Sequence, residues 1–164
     1  MGRFSFDKHG NIVPYELHPV SIAELEEEFV QPFTKSSTRK NIVEGHSNYV
    51  IEIFQILEHN FFQWLDGSFV TQKLDPNDID VINFVHYSEL TNDKVNSLRR
   101  FLTHVGNPKD EFKVDGFLVP VYESTDPRFA ITQAKYNEWR IFFGKDRNNN
   151  PKGMLQLNLV QNGK

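Results

Sequence analysis

The alternation Asp78-Ile79-Asp80-Val81-Ile82 is the feature of this sequence that most constrains its fold. Only a β-strand projects alternating residues onto two separate faces, so the pattern predicts a strand on which both aspartates point the same way. Two carboxylates about 7 Å apart repel by roughly 2 kcal/mol at an effective dielectric near 20, unless a positive group lies between them. A divalent cation meets that need, since Mg²⁺ is typically held by one or two protein carboxylates together with water and substrate phosphates.

A predicted strand and a predicted tight turn come before these aspartates. The apolar run from Phe61 to Leu65 indicates a buried strand, and Asp66-Gly67-Ser68 indicates a turn, because glycine adopts backbone conformations that other residues avoid. We expect Ser68 to begin a short helix. The N–H groups of the turn, the serine hydroxyl and the helix N-terminus all suit phosphate oxygens, so Gly67 and Ser68 are candidate phosphate-binding residues.

A third carboxylate, Asp115, interrupts an apolar run from Phe112 to Val121 that we predict to be a later strand. Each of these features alone has an ordinary explanation, because Gly-Ser pairs are common in polar turns and aspartates often face solvent at the edge of a half-exposed strand. Their conjunction in one chain favours a site for a metal ion and a nucleotide.

The same residues resemble a known signature. Gly67-Ser68, nine intervening residues and then Asp78-Ile79-Asp80-Val81 are similar to the motif of the DNA polymerase beta-type nucleotidyltransferase superfamily, in particular its small single-domain members. Members of that superfamily usually place a third carboxylate on a later strand, where Asp115 stands here. Asp66 departs from the pattern, which usually has an apolar residue before Gly-Ser. The phrases DGSFVTQK and WRIFFGKDR resemble an uncharacterised group of bacterial and phage nucleotidyltransferase-like proteins.

This resemblance implies a set of roles. Asp78 and Asp80 would bind both of two magnesium ions, and Asp115 would complete one of them. Gly67 and Ser68 would hold the terminal phosphates of a nucleoside triphosphate, ATP or another. Lys73 could reach the triphosphate, although an exposed surface lysine explains it as well. The implied reaction is in-line attack of a hydroxyl on the α-phosphate, with release of pyrophosphate.

The acceptor of the nucleotidyl group is left open by the sequence. The resemblance suggests that the acceptor is an RNA end, for example that of a tRNA-like molecule, or a protein side chain. It also suggests a toxin–antitoxin or phage-defence setting, with a cognate antitoxin as partner. The alternatives are a non-catalytic nucleotide- or partner-binding module, antitoxin-like, that retains the fold, and a structural subunit of a larger complex, because a fold does not determine a function.

Composition restricts the chemistry and the location. The chain has no cysteine, which excludes disulfides, thiolate zinc sites and cysteine nucleophiles. The net charge of −4 argues against non-specific nucleic-acid binding, which depends on Lys and Arg. Neither a signal-peptide pattern nor an apolar stretch of membrane-spanning length occurs, so we expect a cytoplasmic protein that does not insert into membranes.

We predict an α+β fold, a small mixed β-sheet flanked by helices and nucleotidyltransferase-like, in which residues 1–164 form a single domain. Residues 1–34 would form an N-terminal hairpin and short-helix extension of a core that spans residues 35–164. The predicted elements are a hairpin around residues 4–13, helices near 21–31, 37–59, 91–106 and 131–143, and strands near 61–65, 78–82, 112–121 and 155–159.

Several side chains receive an individual prediction. Helical spacing places Ile22, Val95 and Val105 on stripes that face the core, and His46 is predicted to be a packed core histidine. Arg39, with its neighbours Lys35 and Lys40, is expected to be solvated surface charge.

A C-terminal basic group has two open interpretations. It consists of Trp139, Arg140, Lys145, Arg147 and Lys152. It would either bind the backbone of an RNA acceptor, with Trp139 stacking on a terminal base, or place Trp139 in the core while its cations are solvated or serve the triphosphate.

Overall fold

The computed structural model describes residues 2–160 of the chain. The strands in this part are β1 (Ser5–Phe6), β2 (Ile12–Val13), β3 (Leu17–Val20), β4 (Phe61–Asp66), β5 (Ile79–His86), β6 (Val114–Val121) and β7 (Met154–Leu159). The α-helices are α1 (Ile22–Phe29), α2 (Arg39–Leu57), α3 (Asn92–Leu98), α4 (Pro108–Phe112) and α5 (Phe129–Phe143). Single 3-10 turns lie at Ser68–Val70, Tyr87–Glu89 and Arg99–Phe101.

Five of the strands form one mixed sheet with the order β3-β7-β4-β5-β6. The pairs β3–β7 and β5–β6 are parallel, whereas β4 runs antiparallel to both β5 and β7. The short strands β1 and β2 form a separate antiparallel hairpin. The prediction of an α+β fold with a mixed sheet and flanking helices is confirmed.

The two faces of the sheet are covered by different helices. On one face, α1 and α2 bury Phe29, Ile42 and Ile53 against apolar side chains of the central strands. On the other face, α5 packs an aromatic cluster in which the Tyr136 ring lies 5.5 Å from that of Trp64. Burial of these large apolar side chains is the main contribution that holds helices and sheet together.

A chain of buried polar side chains ties α2 to the centre of the sheet. His46 Nε2 lies 2.8 Å from Gln63 Oε1, the Gln63 amide donates to Asn83 Oδ1, and the Asn83 amide donates to the Tyr49 hydroxyl. The Tyr49 hydroxyl in turn donates to the carbonyl of Phe101. Burial lowers the pKa of His46 to about 4, so its ring is neutral at physiological pH, and the prediction of a packed core histidine is confirmed.

The N-terminal segment is more closely integrated than the sequence predicts. The hairpin and the Ser21-capped helix form as expected, with the Ser21 side chain and Glu24 closing a capping box. However, β3 was not predicted, and it forms the edge of the main sheet beside β7. Ile12 and Leu25 are fully buried in the core. The segment that contains Ile12, β3 and Leu25 therefore contributes to the same core as the central strands.

The predicted helix over residues 91–106 is shorter in the structure. It ends at Leu98 and continues as a 3-10 turn, so Val105 lies beyond both and is exposed, contrary to the prediction. Val95 is also exposed, although it lies within the helix. Ile22, at the start of α1, is also exposed. Helical periodicity predicts a face only as far as the helix continues, which accounts for Val105 but not for Val95 or Ile22.

Residues 108–112 form the short helix α4, which was not predicted, and Phe112, expected to begin a strand, ends this helix instead. Pro108 occupies its first turn, where the missing N–H of proline removes no helical hydrogen bond. A Cβ atom at Gly45 would stand only 2.1 Å from the carbonyl oxygen of Phe112. The absence of a side chain at Gly45 therefore allows α4 to pack closely against α2. This contact places α4 beside the start of β5 and β6.

Arg39 is wholly buried, although the sequence analysis predicted solvated surface charge. Its guanidinium Nη1 donates to the carbonyls of Phe29 and Phe69 at 2.9 and 2.8 Å, and Nη2 donates to those of Thr71 and Lys73 at 2.7 and 2.6 Å. Three of these four carbonyls belong to the loop that follows Gly67-Ser68. Arg39 therefore holds that loop to the start of α2, which the planar, multiply donating guanidinium suits.

We expect Arg39→Lys to lower the free energy of unfolding by about 2–4 kcal/mol, because a lysine ammonium has only three donors on one nitrogen and leaves buried carbonyls unpaired. Urea denaturation of the purified variant would measure the loss. Arg99→Lys, at an exposed position, is the matched control and should change stability by less than about 0.5 kcal/mol. Equal stability of the two variants would show that the guanidinium contacts contribute nothing specific.

Candidate functional site

Three neighbouring strands place an aspartate each in a row at one end of the sheet. Asp66 at the end of β4 pairs in register with Asp80 near the start of β5, and Asp80 pairs with Asp115 near the start of β6. Asp78 precedes β5 directly. The structure thus brings Asp78, Asp80 and Asp115 to one end of the sheet, and a shared metal site for them stays a prediction. The row also includes Asp66, which the sequence analysis treated only as a departure from a motif.

An open cleft of about 580 Å³ lies over this end of the sheet. All six residues predicted to form the site line it, namely Gly67, Ser68, Lys73, Asp78, Asp80 and Asp115. The cleft also contains cations from other segments, Lys109, Lys145, Arg147 and Lys152. One surface therefore offers both carboxylates and positive charge.

Gly67 adopts a positive φ of 81°, as expected of a glycine in a tight turn. A second requirement was not foreseen, because the Asp80 carboxylate lies directly over its backbone. A Cβ atom at residue 67 would stand 1.9 Å from Asp80 Oδ2. Glycine at this position thus allows Asp80 to lie close to the turn.

The helix predicted to begin at Ser68 is only one 3-10 turn, Ser68–Val70. The prediction that a helix starts here is confirmed, but one turn sums too few peptide dipoles to supply the electrostatic contribution expected of a helix N-terminus. The charge that attracts an anion to this cleft would therefore come from the lysine and arginine side chains that line it.

Lys109 is a site residue that sequence analysis missed. Its Nζ lies 2.9 Å from Asp115 Oδ2 and 3.3 Å from Asp78 Oδ2, so one ammonium contacts two of the predicted ligands. The pKa of Lys109 is raised, mainly by its hydrogen bond to Asp115. The proline at position 108 and the acidic residues after Lys109 could have indicated a helix start, but no local pattern relates this helix to residues 78 and 115.

Lys152 is the second cation in contact with the row. Its Nζ lies 2.8 Å from Asp66 Oδ1, and both side chains are almost fully buried. Burial raises the pKa of Asp66 to about 8, while the Lys152 ammonium opposes that rise. Breaking a buried pair by removing one partner is strongly destabilising, so Asp66 and Lys152 support the end of β4 as a unit.

Asp80 lies between the other carboxylates and is affected by them. Burial, followed by the charges of Asp78 and Asp115, raises the pKa of Asp80 to about 6. Asp115 is paired with Lys109 through Oδ2 alone, whereas no donor within residues 2–160 hydrogen-bonds to its buried Oδ1. Asp115 Oδ1 is therefore an acceptor at this end of the sheet that receives no donor from the described residues.

The C-terminal basic group is divided by the structure. Lys145, Arg147 and Lys152 line the cleft. Trp139 is partly buried and packs on Phe117, with ring centroids 5.0 Å apart. The position of Trp139 favours the interpretation in which it belongs to the packed interior.

Within residues 2–160, no group of three or more His, Cys, Asp or Glu side chains is spaced to hold a metal ion as the structure stands. Lys109 lies between two of the predicted ligands instead. The donor set still has the chemistry that Mg²⁺ prefers, since it consists of carboxylate oxygens beside an open cleft, and one of them lacks a hydrogen-bond donor.

No helix in the part of the chain described by the structure combines the length and apolar character needed to span a bilayer.

The comparisons with known proteins give a family but no activity. The model of a family described as "Family of unknown function (DUF6932)" matches residues 4–158, and the chain therefore belongs to that family. No curated protein and no solved structure matches the chain.

The raised pKa of Asp80 leads to a prediction about pH. Because the folded value of about 6 exceeds the ordinary value of 3.8, the folded protein binds more protons than the unfolded chain between about pH 4 and pH 6. This carboxylate therefore makes the free energy of unfolding fall as pH rises through that window. We expect Asp80→Asn to remove the effect and to be more stable than the wild type at pH 7.5 by roughly 1–3 kcal/mol, with little difference near pH 3.5.

Urea denaturation in the presence of a chelator, at several pH values, would measure this difference. Asp93→Asn is the matched control, because Asp93 lies on α3 and does not line the cleft. A stability gain for Asp80→Asn that does not change between pH 3.5 and pH 7.5 would contradict the prediction.

Proposed function

We propose that this protein is a magnesium-dependent nucleotidyltransferase, which moves a nucleotidyl group from a nucleoside triphosphate to a hydroxyl acceptor. The observation that carries the proposal is the convergence of Asp78, Asp80 and Asp115 in one cleft beside the Gly67-Ser68 turn. The resemblance of these residues to the nucleotidyltransferase motif depends on local sequence alone. Their proximity at one end of a mixed sheet is a separate, three-dimensional observation that supports the proposal.

Charge in the cleft agrees with this chemistry. Asp78, Asp80 and Asp115 would hold the metal ions, which when bound would neutralise phosphate charge and polarise the reacting phosphoryl group. Lys73, Lys145 and Arg147 line the same cleft and would attract the triphosphate. Gly67 and Ser68 would contact its terminal phosphates through backbone N–H and hydroxyl groups.

The proposed reaction is a substitution at the α-phosphorus. A bond forms between the acceptor oxygen and the α-phosphorus, the bond from the α-phosphorus to the bridging oxygen breaks, and pyrophosphate leaves with that oxygen. The acceptor hydroxyl loses a proton, and a carboxylate of the row could accept it as the general base. Asp115 Oδ1 has no donor from the described residues and can accept the hydrogen bond of that hydroxyl.

The acceptor in this proposal is an RNA end or a protein hydroxyl, and the resemblance suggests a toxin–antitoxin or phage-defence setting. A second candidate function is a nucleotide- or partner-binding module without turnover, of the antitoxin kind. Lys109 is the observation that favours it, because its ammonium already occupies the position between two of the proposed metal-binding carboxylates, Asp78 and Asp115.

Incubation with α-labelled nucleoside triphosphates, Mg²⁺ and a total cell extract would test the proposal. We expect label to enter RNA or protein with release of pyrophosphate, and we expect Asp80→Asn and Asp115→Asn to reduce the rate about 100-fold or more. Asp93→Asn should retain the wild-type rate. Nucleotide binding without label transfer or pyrophosphate release would favour the binding module, and a chelator-resistant rate would exclude a metal-dependent mechanism.

The basic residues of the cleft give a separate prediction. If Lys145 and Arg147 serve the triphosphate, replacing both with Ala should weaken nucleotide binding about five- to twentyfold and reduce its dependence on salt. Calorimetric titration with a non-hydrolysable nucleoside triphosphate analogue would measure this. Lys135→Ala, on an exposed part of α5, is the control. If nucleotide affinity is retained while RNA affinity falls, the two residues belong to the acceptor.

A further inference from the structure

Lys109 reaches the cleft from a backbone that is held firmly in place. Pro108 and Phe112, at the two ends of α4, are both buried, and the close contact at Gly45 fixes the helix against α2. The side chain of Lys109, in contrast, is 43% exposed. Four rotatable carbon–carbon bonds lie between this fixed backbone and the ammonium group, so the charge can move although the helix cannot.

The ammonium of Lys109 occupies a position between carboxylates from different parts of the chain. It contacts Asp78 Oδ2 before β5 and Asp115 Oδ2 on β6, on the side of the cleft away from the buried Asp66–Lys152 pair. Within residues 2–160, Lys109 is the one side chain that forms an ion pair with either of these aspartates.

We infer that Lys109 is a positioning residue that holds Asp78 and Asp115 together in the metal-free protein, and that a divalent cation binds by displacing its ammonium. The inference rests on the proposed function, because it assumes that these carboxylates bind metal. The metal ion then competes with the ammonium of Lys109 for the carboxylates, and the affinity for metal depends on which group the displaced ammonium contacts.

Electrostatics supplies the reason for displacement. A divalent ion on Asp78 and Asp115 would stand within a few ångströms of the ammonium, and like charges at that distance repel strongly in a partly buried site. Water can hydrate the partly exposed ammonium after it leaves the carboxylates, but a new anionic partner would stabilise it further. A polyphosphate bound in the same cleft offers that partner, whereas free metal alone offers none.

The displacement therefore couples metal to polyphosphate. Metal alone must compete with Lys109 and binds weakly, while metal together with a polyphosphate gains the contact between Lys109 and a phosphate oxygen. By linkage, the polyphosphate should tighten metal binding as much as metal tightens polyphosphate binding. Removal of the ammonium should strengthen binding of the metal alone and reduce this coupling.

The test measures the dissociation constant of Mn²⁺, used as a probe for Mg²⁺, by calorimetry and electron paramagnetic resonance, without and with inorganic tripolyphosphate. We expect Lys109→Met to bind Mn²⁺ alone about three- to tenfold more tightly than the wild type, and to show a smaller enhancement by tripolyphosphate. Lys109→Arg keeps the charge and should retain the wild-type affinity. Lys113→Met, just beyond α4 at an exposed lysine, should change the affinity less than twofold.

Thermal denaturation supplies a readout that does not depend on the metal. Without metal, Lys109→Met leaves Asp78 and Asp115 to repel each other, so its melting temperature should fall below that of Lys113→Met and recover when Mn²⁺ is added. Unchanged or weaker Mn²⁺ binding by Lys109→Met would overturn the inference while leaving the proposed function intact. Absence of Mn²⁺ binding by wild type and variants alike would overturn both.

Discussion

The register of three strands concentrates negative charge at one end of the sheet, and much of the surrounding structure compensates for it. The pairings Asp66–Asp80 and Asp80–Asp115 place like charges side by side, an arrangement that destabilises a sheet unless it is neutralised. Two lysines from distant segments provide this compensation. Lys152 forms a buried pair with Asp66, and Lys109 bridges Asp78 and Asp115 at the rim.

The two lysines differ in burial, and this difference suggests different roles. Lys152 is nearly inaccessible and cannot leave Asp66 without leaving a buried charge unpaired, so its contribution is structural. Lys109 is partly exposed and can exchange carboxylates for other anions at modest cost. Asp80 lies between them, and its pKa is raised by burial and by the charges of Asp78 and Asp115, an effect that the two lysines only partly oppose.

The loop beside the carboxylates depends on a separate buried charge. Arg39 donates to the carbonyls of Phe69, Thr71 and Lys73, and so fixes the segment that connects the Gly67 turn to β5. A loop whose backbone carbonyls are satisfied by one guanidinium needs no regular secondary structure to keep a defined path. The cleft thus has a floor fixed by the sheet and one wall fixed by Arg39.

The amino-acid sequence by itself determined the local elements and the residues of the candidate site. Period-2 alternation predicted β5 and β7, the Ser21 capping box predicted α1, and the Gly67-Ser68 turn with its aspartates identified the positions that line the cleft, because these signals depend on neighbours in the chain. The tertiary structure alone decided the roles of Arg39, Lys109 and Lys152. Each of these cations contacts groups from distant segments of the chain. The residues next to a lysine or arginine in sequence do not indicate which distant group it will contact in the folded protein.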